Sequence, residues 1–301
     1  FGLHRNVVMG RLMHVYDVLN EVCLLASLLP IKTSENEVAK DYLKRLAKMS
    51  FLDKFLLIYD AKFAGFDMIY KHLEEKFTFL IRCSPKFNVE VYRFVESKKG
   101  MAIVYFRPTK QVVKDLQNQG FDVTMDTRLK VRLVRIDLPN GIVEVLITNL
   151  FDKRIKRSDF SELYQLRWKT ETNYDALKNK MQIEVFSGHS VYSILQDFHA
   201  AVVVLNLQSC IEKECEQELV LINKRRKYDY AVNQNIAIGH LKNRIVLLFL
   251  NEQPEEILDE LKALFINSLE PVRPDRTYER IFKVKHLKGK YKTQTNYKRA
   301  I

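Results

Sequence analysis

Two apolar runs, residues 7–15 (VVMGRLMHV) and 22–31 (VCLLASLLPI), flank the polar stretch Tyr16–Glu21 and predict neighbouring strands joined by a turn. Ser34 and Glu37 stand at capping-box spacing, which predicts a helix running from there to Met49. FLLIYDAKFAG, residues 55–65, reads as a short buried strand closing at Asp60, then a glycine-containing turn and a helix to Glu75. FTFLIRC, residues 77–83, predicts a further interior strand. Strand, strand, helix, strand, helix, strand is the order of an α/β sheet with parallel portions.

From Pro85 to Asp152 the pattern becomes alternation. VEVYRFV, MAIVYF, LKVRLVRIDL and IVEVLIT, with turns at KKG and PNG, predict a β-rich insertion of about four strands, with one short helix over Lys110–Gln119. After Asp159 helical spacing takes over, with helices expected over 159–178, Val191–Asn223, Ile236–Leu250 and Pro254–Asn267. The chain therefore divides into 1–84, 85–152, 153–225 and 226–301, the last being a helical C-terminal region with a basic tail.

Composition adds a partner class. With 301 residues and 47% hydrophobic content a sizeable core is available, and a net charge of +12 points to a polyanionic partner. Nucleic acid is the first candidate and an anionic membrane surface the weaker one. The longest purely apolar runs, Ala200–Leu205 and Ile245–Leu250, fall well short of the ~20 residues that span a bilayer, so no transmembrane helix is expected. Cys23, Cys83, Cys210 and Cys215 form no CxxC pair and read as reduced thiols of a cytoplasmic protein. Because the chain opens on Phe1, the start of the natural product is expected to lie upstream. The tail Pro271–Ile301 carries ten Lys or Arg against Asp275 and Glu279, with Tyr278, Phe282, Tyr291 and Tyr297 interleaved. It can bind phosphates or be merely solubilising.

Candidate chemistry concentrates in DFSELYQLRWKTETNYDALK, residues 159–178. On one regular helix, Tyr164, Arg167, Glu171 and Lys178 would share an arc of about 60°. Leu163, Leu166, Tyr174, Leu177 and Met181 would occupy the adjoining arc and dock on a core. Asp159 could cap this helix, answered by Glu162. A carboxylate beside a phenol, a guanidinium and an ammonium can serve a hard cation and phosphates. It can equally be a solvated face, with Arg167 and Lys178 in ordinary ion pairs and Tyr164 half-buried. Asp175 could pair with Lys178 or Arg167, and Trp168 is expected to pack rather than stack on a base.

The spacing Y-x2-R-x3-E-x6-K, with the flanking RW and the later EVFSGHS, resembles DDE transposases of the insertion-sequence-4 family. The segment around Asp60 resembles that family's second aspartate segment, although Ala61 and Lys62 stand where Arg-Gly is common. The resemblance implies an α/β, ribonuclease-H-like core interrupted by a β-rich insertion and followed by a helical C-terminal region. It implies cut-and-paste transposition, with metal-dependent hydrolysis and strand transfer at the ends of the element. Asp60 and Glu171 would hold Mg2+ or Mn2+ as catalytic ligands, and Tyr164, Arg167 and Lys178 would contact DNA phosphates. Partners would be double-stranded DNA and a second copy of the chain on paired ends. The family's first aspartate has no counterpart here: Asp17 lies in a turn, Asp41 faces out of a helix and Asp53 precedes its strand. A two-metal site is thus expected only in a longer protein, and a truncated or decayed transposase that binds DNA without cleaving it is the alternative. A basic nucleic-acid-binding scaffold is a further rival. Tyr92, Phe94, Tyr105 and Phe106 of the insertion are possible base stackers or plain strand-face residues.

Overall fold

The structure, a computed structural model, describes residues 2–4, 7–49, 55–138, 141–188 and 190–272. Asp53 and almost the whole basic tail lie outside the described residues. In chain order the elements are β1 (Gly2–His4), β2 (Val7–Asp17), β3 (Val22–Pro30), α1 (Glu35–Leu46), β4 (Leu56–Tyr59), α2 (Phe66–Glu74), β5 (Thr78–Cys83), α3 (Val89–Glu96), β6 (Met101–Phe106) and α4 (Lys110–Asn118). There follow β7 (Leu129–Asp137), β8 (Val143–Thr148), α5 (Arg157–Gln165), α6 (Trp168–Asp175), α7 (Val191–Glu214), α8 (Glu216–Asn223), β9 (Tyr230–Val232), α9 (Gln234–Leu250), α10 (Pro254–Ile266) and β10 (Leu269–Pro271). A mixed sheet flanked by helices and a helical C-terminal stretch make this the ribonuclease-H-like α/β class expected from the sequence.

The chain forms two compact units, 33–169 and 1–32 with 170–301. In the first, five strands run in the order β4-β5-β8-β7-β6, with β4 and β5 parallel and the other pairs antiparallel. Period-two alternation sends Phe79, Ile81 and Cys83 of β5, with Val145 and Ile147 of β8, to one face. There they meet Leu43 of α1, Ile69 of α2, Val91 and Phe94 of α3 and Leu116 of α4. The other face carries Leu80, Val134 and Leu146 under Phe160 and Tyr164 of α5. Asn149 fastens the start of β5, accepting from the Phe79 amide at 3.0 Å and donating to the Phe77 carbonyl at 2.9 Å.

Three sequence expectations are corrected in this unit. VEVYRFV is helix α3, not a strand: Val91, Phe94 and Val95 recur at helical spacing against the core, and Asn88 caps the amide of Val91 at 2.8 Å. Ser34 does occupy the cap position of α1, but its side chain makes no capping bond, and Glu37 instead accepts from Lys40 at 2.7 Å. Lys156, not Asp159, is the cap residue of α5. Asp159 sits at the third helical position and accepts from the Lys156 amide at 2.9 Å, the reverse of the expected order.

In the second unit β1, β2 and β3 form an antiparallel sheet, and the hairpin expected over residues 7–31 is present with Asp17 closing β2. Its core joins Phe198, Val202 and Leu205 of α7 to Ile238 and Leu241 of α9 and Leu261 and Phe265 of α10, with Leu12, Ala26 and Leu28 packed on it. Asn206 of α7 grips β3, accepting from the Cys23 amide at 2.7 Å and donating to its carbonyl at 2.9 Å. Among the described residues α7 is long and apolar enough, by length and composition, to cross a membrane, although the six-residue apolar runs did not suggest it. Its buried side chains are those of this core. All four cysteines are free thiols, with Cys210 exposed on α7 and Cys215 buried between α7 and α8.

Candidate functional site

The polar stripe does not lie on one regular helix. α5 ends at Gln165, and the amides of Arg167 and Lys169 bond three residues back to Tyr164 (3.1 Å) and Leu166 (3.1 Å), a tight turn before α6 starts. After Asp175 the helix widens into a π turn over Ala176–Lys180, where the Met181 amide reaches back to Ala176 at 2.9 Å. Tyr164 is therefore on α5, Arg167 in the break, Glu171 on α6 and Lys178 in the π turn. Each change of helical pitch shifts the angular phase, so the four positions do not follow one continuous 3.6-residue spacing.

Tyr164 and Arg167 belong to unit 33–169 together with Asp60, whereas Glu171 and Lys178 belong to the other unit. Asp60 directly follows β4 and caps the short 3-10 turn Ala61–Phe63 by accepting from the Lys62 amide at 2.8 Å. The Lys62 ammonium turns to Glu35 at 2.7 Å, so it does not take the place of an arginine beside Asp60.

A guanidinium is supplied from elsewhere. Arg82 of β5 and Glu144 of β8 lie on the α5 side of the sheet, with Arg82 Nη1 donating to Glu144 Oε1 at 2.6 Å. Burial opposes the charge of Arg82, but the Glu144 hydrogen bond and the fields of Tyr164, Glu144 and Asp60 leave its pKa above the ordinary arginine value. Burial raises the Tyr164 phenol, while Arg82 and Arg167 pull it down and Glu144 and Asp60 push it up. Tyr164 therefore stays a neutral hydroxyl donor. Its hydroxyl and the Nε of Arg82 are both buried without a hydrogen-bond partner. Two orphaned donors facing a shared carboxylate field leave an unmet demand for an acceptor oxygen. Arg167 places its guanidinium 5.8 Å from the Tyr164 ring centre and 5.2 Å from that of Trp168. Trp168 is 54% exposed, with the Arg167 guanidinium over its ring.

In the other unit, Leu177 and Met181 are buried as expected and Tyr174 stacks on His14 at 4.3 Å. Asp175 accepts from Asn179 at 2.5 Å, and Lys178 lies 3.9 Å from Glu184, so the expected Asp175–Lys178 pair is not what either makes. Sequence reasoning missed Arg82 and Glu144. The available signal was a charged residue interrupting the apolar run FTFLIRC, at a position whose alternation points it away from the main core.

The chain matches the family described as Transposase DDE domain over residues 5–207, a stretch that includes Asp60 and all four signature positions. The chain belongs to the DDE transposase family. Comparison with curated proteins found no match. Among solved structures it is similar to the one titled "Cryo-EM structure of piggyBac transposase synaptic complex with hairpin DNA (SNHP)", at 13% identity and a TM-score of 0.44. That likeness covers 90% of this chain and 54% of the other, so the chain spans about half the length of that transposase.

Membership of the DDE transposases implies divalent metal. Among the described residues, however, no group of three His, Cys, Asp or Glu side chains is placed to hold one. Asp60 spends one oxygen on the Lys62 amide and Glu144 is committed to Arg82. Among the described residues these donors compose no metal centre, and no chemical step is derived through one. What the cluster on the sheet can do is bind a phosphate oxygen through the part-exposed guanidiniums of Arg82 and Arg167.

Proposed function

We propose that this chain binds double-stranded DNA as a DDE-transposase-type protein and, on its own residues, does not cut it. The observation that carries this is the match to the transposase DDE domain over residues 5–207 in a chain whose described residues hold no metal-binding cluster. The part-exposed guanidinium of Arg82 offers donors to a phosphodiester, and the net charge of +12 draws the duplex in. Within this reading Tyr164, Arg167 and Lys178 contact phosphates, as the Y-x2-R-x3-E-x6-K spacing of the insertion-sequence-4 type implies. A second copy of the chain would be recruited on paired ends.

A second reading is cut-and-paste cleavage and strand transfer with Mg2+ or Mn2+ held by Asp60 and Glu171. It is favoured by the place of Asp60 immediately after β4. That chemistry requires carboxylates beyond those the described residues cluster. The DNA site itself is tested in a binding assay across salt with Tyr164→Phe and Arg167→Ala, whereas the two readings part on whether bound DNA is cut in Mg2+ or Mn2+. Duplex affinity is expected to fall about tenfold in Arg167→Ala, with a salt slope shallower by about one phosphate. Wild-type and variant curves that coincide at every salt concentration would remove these residues from the DNA site.

A further inference from the structure

Helix α9 outgrows the core it helps to build. Ala237, Ile238 and Leu241 are buried, and Ile245 still packs on the core of its unit. Beyond it Val246, Leu247, Phe249 and Leu250 are between 52% and 78% exposed, four large apolar side chains within five residues. The helix stops there, with the Asn251 amide bonded to the Leu247 carbonyl at 2.9 Å, and α10 starts at Pro254. Around this elbow stand three exposed carboxylates, Glu252, Glu255 and Glu256, without an ion pair or hydrogen bond among the described residues. Their neighbours are already matched, Asp259 by Lys262 at 2.8 Å and Glu260 by Arg244 at 2.7 Å. The place of Glu255 and Glu256 in the first turn suits the dipole of α10 but leaves both charges open to a cation.

An apolar surface rimmed with carboxylates fits a partner that interleaves apolar and basic side chains. A duplex, an anionic membrane or the same elbow of a second copy would bring negative charge onto these carboxylates. The chain itself carries a segment of the right chemistry. Residues 280–288, RIFKVKHLK, set Ile281, Phe282, Val284 and Leu287 among Arg280, Lys283, Lys285 and Lys288, with no acidic residue. They lie outside the described residues, yet the length of chain brings them within reach. Pro271, the end of β10, pairs with Tyr230 of β9, which runs into α9 through Asn233, so the tail departs near the start of that helix. The 17 residues of α9 put Leu250 about 25 Å further on. From Val272 the extended chain reaches about 35 Å at Ile281 and about 55 Å at Leu287. We propose that residues 280–288 dock on the α9–α10 elbow of their own chain. Their apolar side chains cover Val246, Leu247, Phe249 and Leu250, and their lysines answer Glu252, Glu255 and Glu256. In that arrangement the segment closes its own unit instead of serving as a phosphate-binding arm.

The test needs no nucleic acid and so stands apart from the proposed function. The full chain is treated with a water-soluble carbodiimide, which joins carboxylates to amines in contact, and the links are located by mass spectrometry. Hydrogen exchange is followed on the same protein. Links from Glu252, Glu255 or Glu256 to Lys283, Lys285 or Lys288 are expected. The amides of residues 280–288 should exchange at least about tenfold more slowly than in a synthetic peptide of that sequence. Leu247→Ser/Leu250→Ser should return them to the rate of the peptide. Glu255→Lys/Glu256→Lys should lower the protection by about tenfold, and adding Lys283→Glu/Lys285→Glu to that variant should restore it. The substituted elbow residues are exposed, and unchanged exchange of α7 amides shows that each variant folds. The charge-reversal pair keeps every apolar side chain and decides the matter if the serine variant disturbs α7. Wild-type amides of 280–288 that exchange as fast as the peptide would overturn the proposal, as would protection that survives both elbow variants. Protection and links that vanish on dilution would also overturn it and give the surface to a second copy.

Discussion

Replacing His72 with Phe tests how burial and charge are balanced in the core of unit 33–169. His72 is 0% exposed, with its Nδ1 2.7 Å from the Met68 carbonyl and its Nε2 3.2 Å from the Tyr59 hydroxyl. The rings of Tyr59 and Phe79 stand 5.2 Å away on either side. Burial pulls its pKa down to about 4, against a backbone bond from Met68 that resists the fall. The folded state therefore binds the proton less well than the unfolded chain. Stability from this residue is whole above the unfolded value of about 6.5 and drains away as pH falls through the window down to about 4. At 1.36 kcal/mol for each tenfold change in proton affinity, the loss is about 3 kcal/mol. His72→Phe cannot titrate, but it leaves the buried Tyr59 hydroxyl without its nitrogen partner, a cost of about 1–2 kcal/mol. Urea unfolding followed by circular dichroism should find the variant less stable at about pH 7.5 and more stable at about pH 4, the curves crossing between. Parallel curves, with the same gap at both ends, would refute the claim that His72 is held neutral by its surroundings.

Other consequences are as direct. Asn206→Ala removes both bonds from α7 to Cys23 and strands a backbone amide and carbonyl of β3; a loss of about 2–3 kcal/mol in unfolding free energy is expected, and a loss below about 0.5 kcal/mol would contradict the clamp. Glu144→Gln keeps the shape of its partner but discharges it, freeing Arg82 for phosphate. Duplex affinity should rise severalfold with a salt slope steeper by about one phosphate, and a fall in affinity would show that Glu144 orients Arg82 rather than competing for it. His14, stacked on Tyr174 and brought by burial to about 4, repeats the His72 logic in the other unit: His14→Phe should flatten the acid limb of stability between about pH 6.5 and 4, as read by hydrogen exchange of β2 amides.

Much of the architecture could be read from the chain because its strands are either strongly apolar or strictly alternating. β2, β3, β4, β5, β6, β7 and β8 all fall where apolar runs or alternation place them, and α4, α9 and α10 within a few residues. VEVYRFV misled because Val89, Val91 and Arg93 alternate over a stretch too short for period two to be told from the spacing of Val91, Phe94 and Val95. The break between α5 and α6 carries no glycine or proline, so nothing local announces it. At the site, Asp60 and the signature residues were legible as a pattern of types. Arg82 and Glu144 were not, because their juxtaposition depends on β5 pairing with β8 across more than sixty residues of chain. Arg82, held by Glu144, is a guanidinium that the field of Asp60 reaches, and no motif announces it.

The central claim, that this DDE-transposase-family chain holds DNA without cutting it, is tested most directly by incubating the full 301-residue chain with supercoiled plasmid in excess Mg2+ and, separately, Mn2+. Mobility is read before and after protein is stripped away. A shift that vanishes on stripping, with the plasmid still supercoiled, is the expected result. Nicked or linear plasmid that survives stripping, and is absent with Asp60→Ala, would contradict it and give Asp60 the metal-binding role.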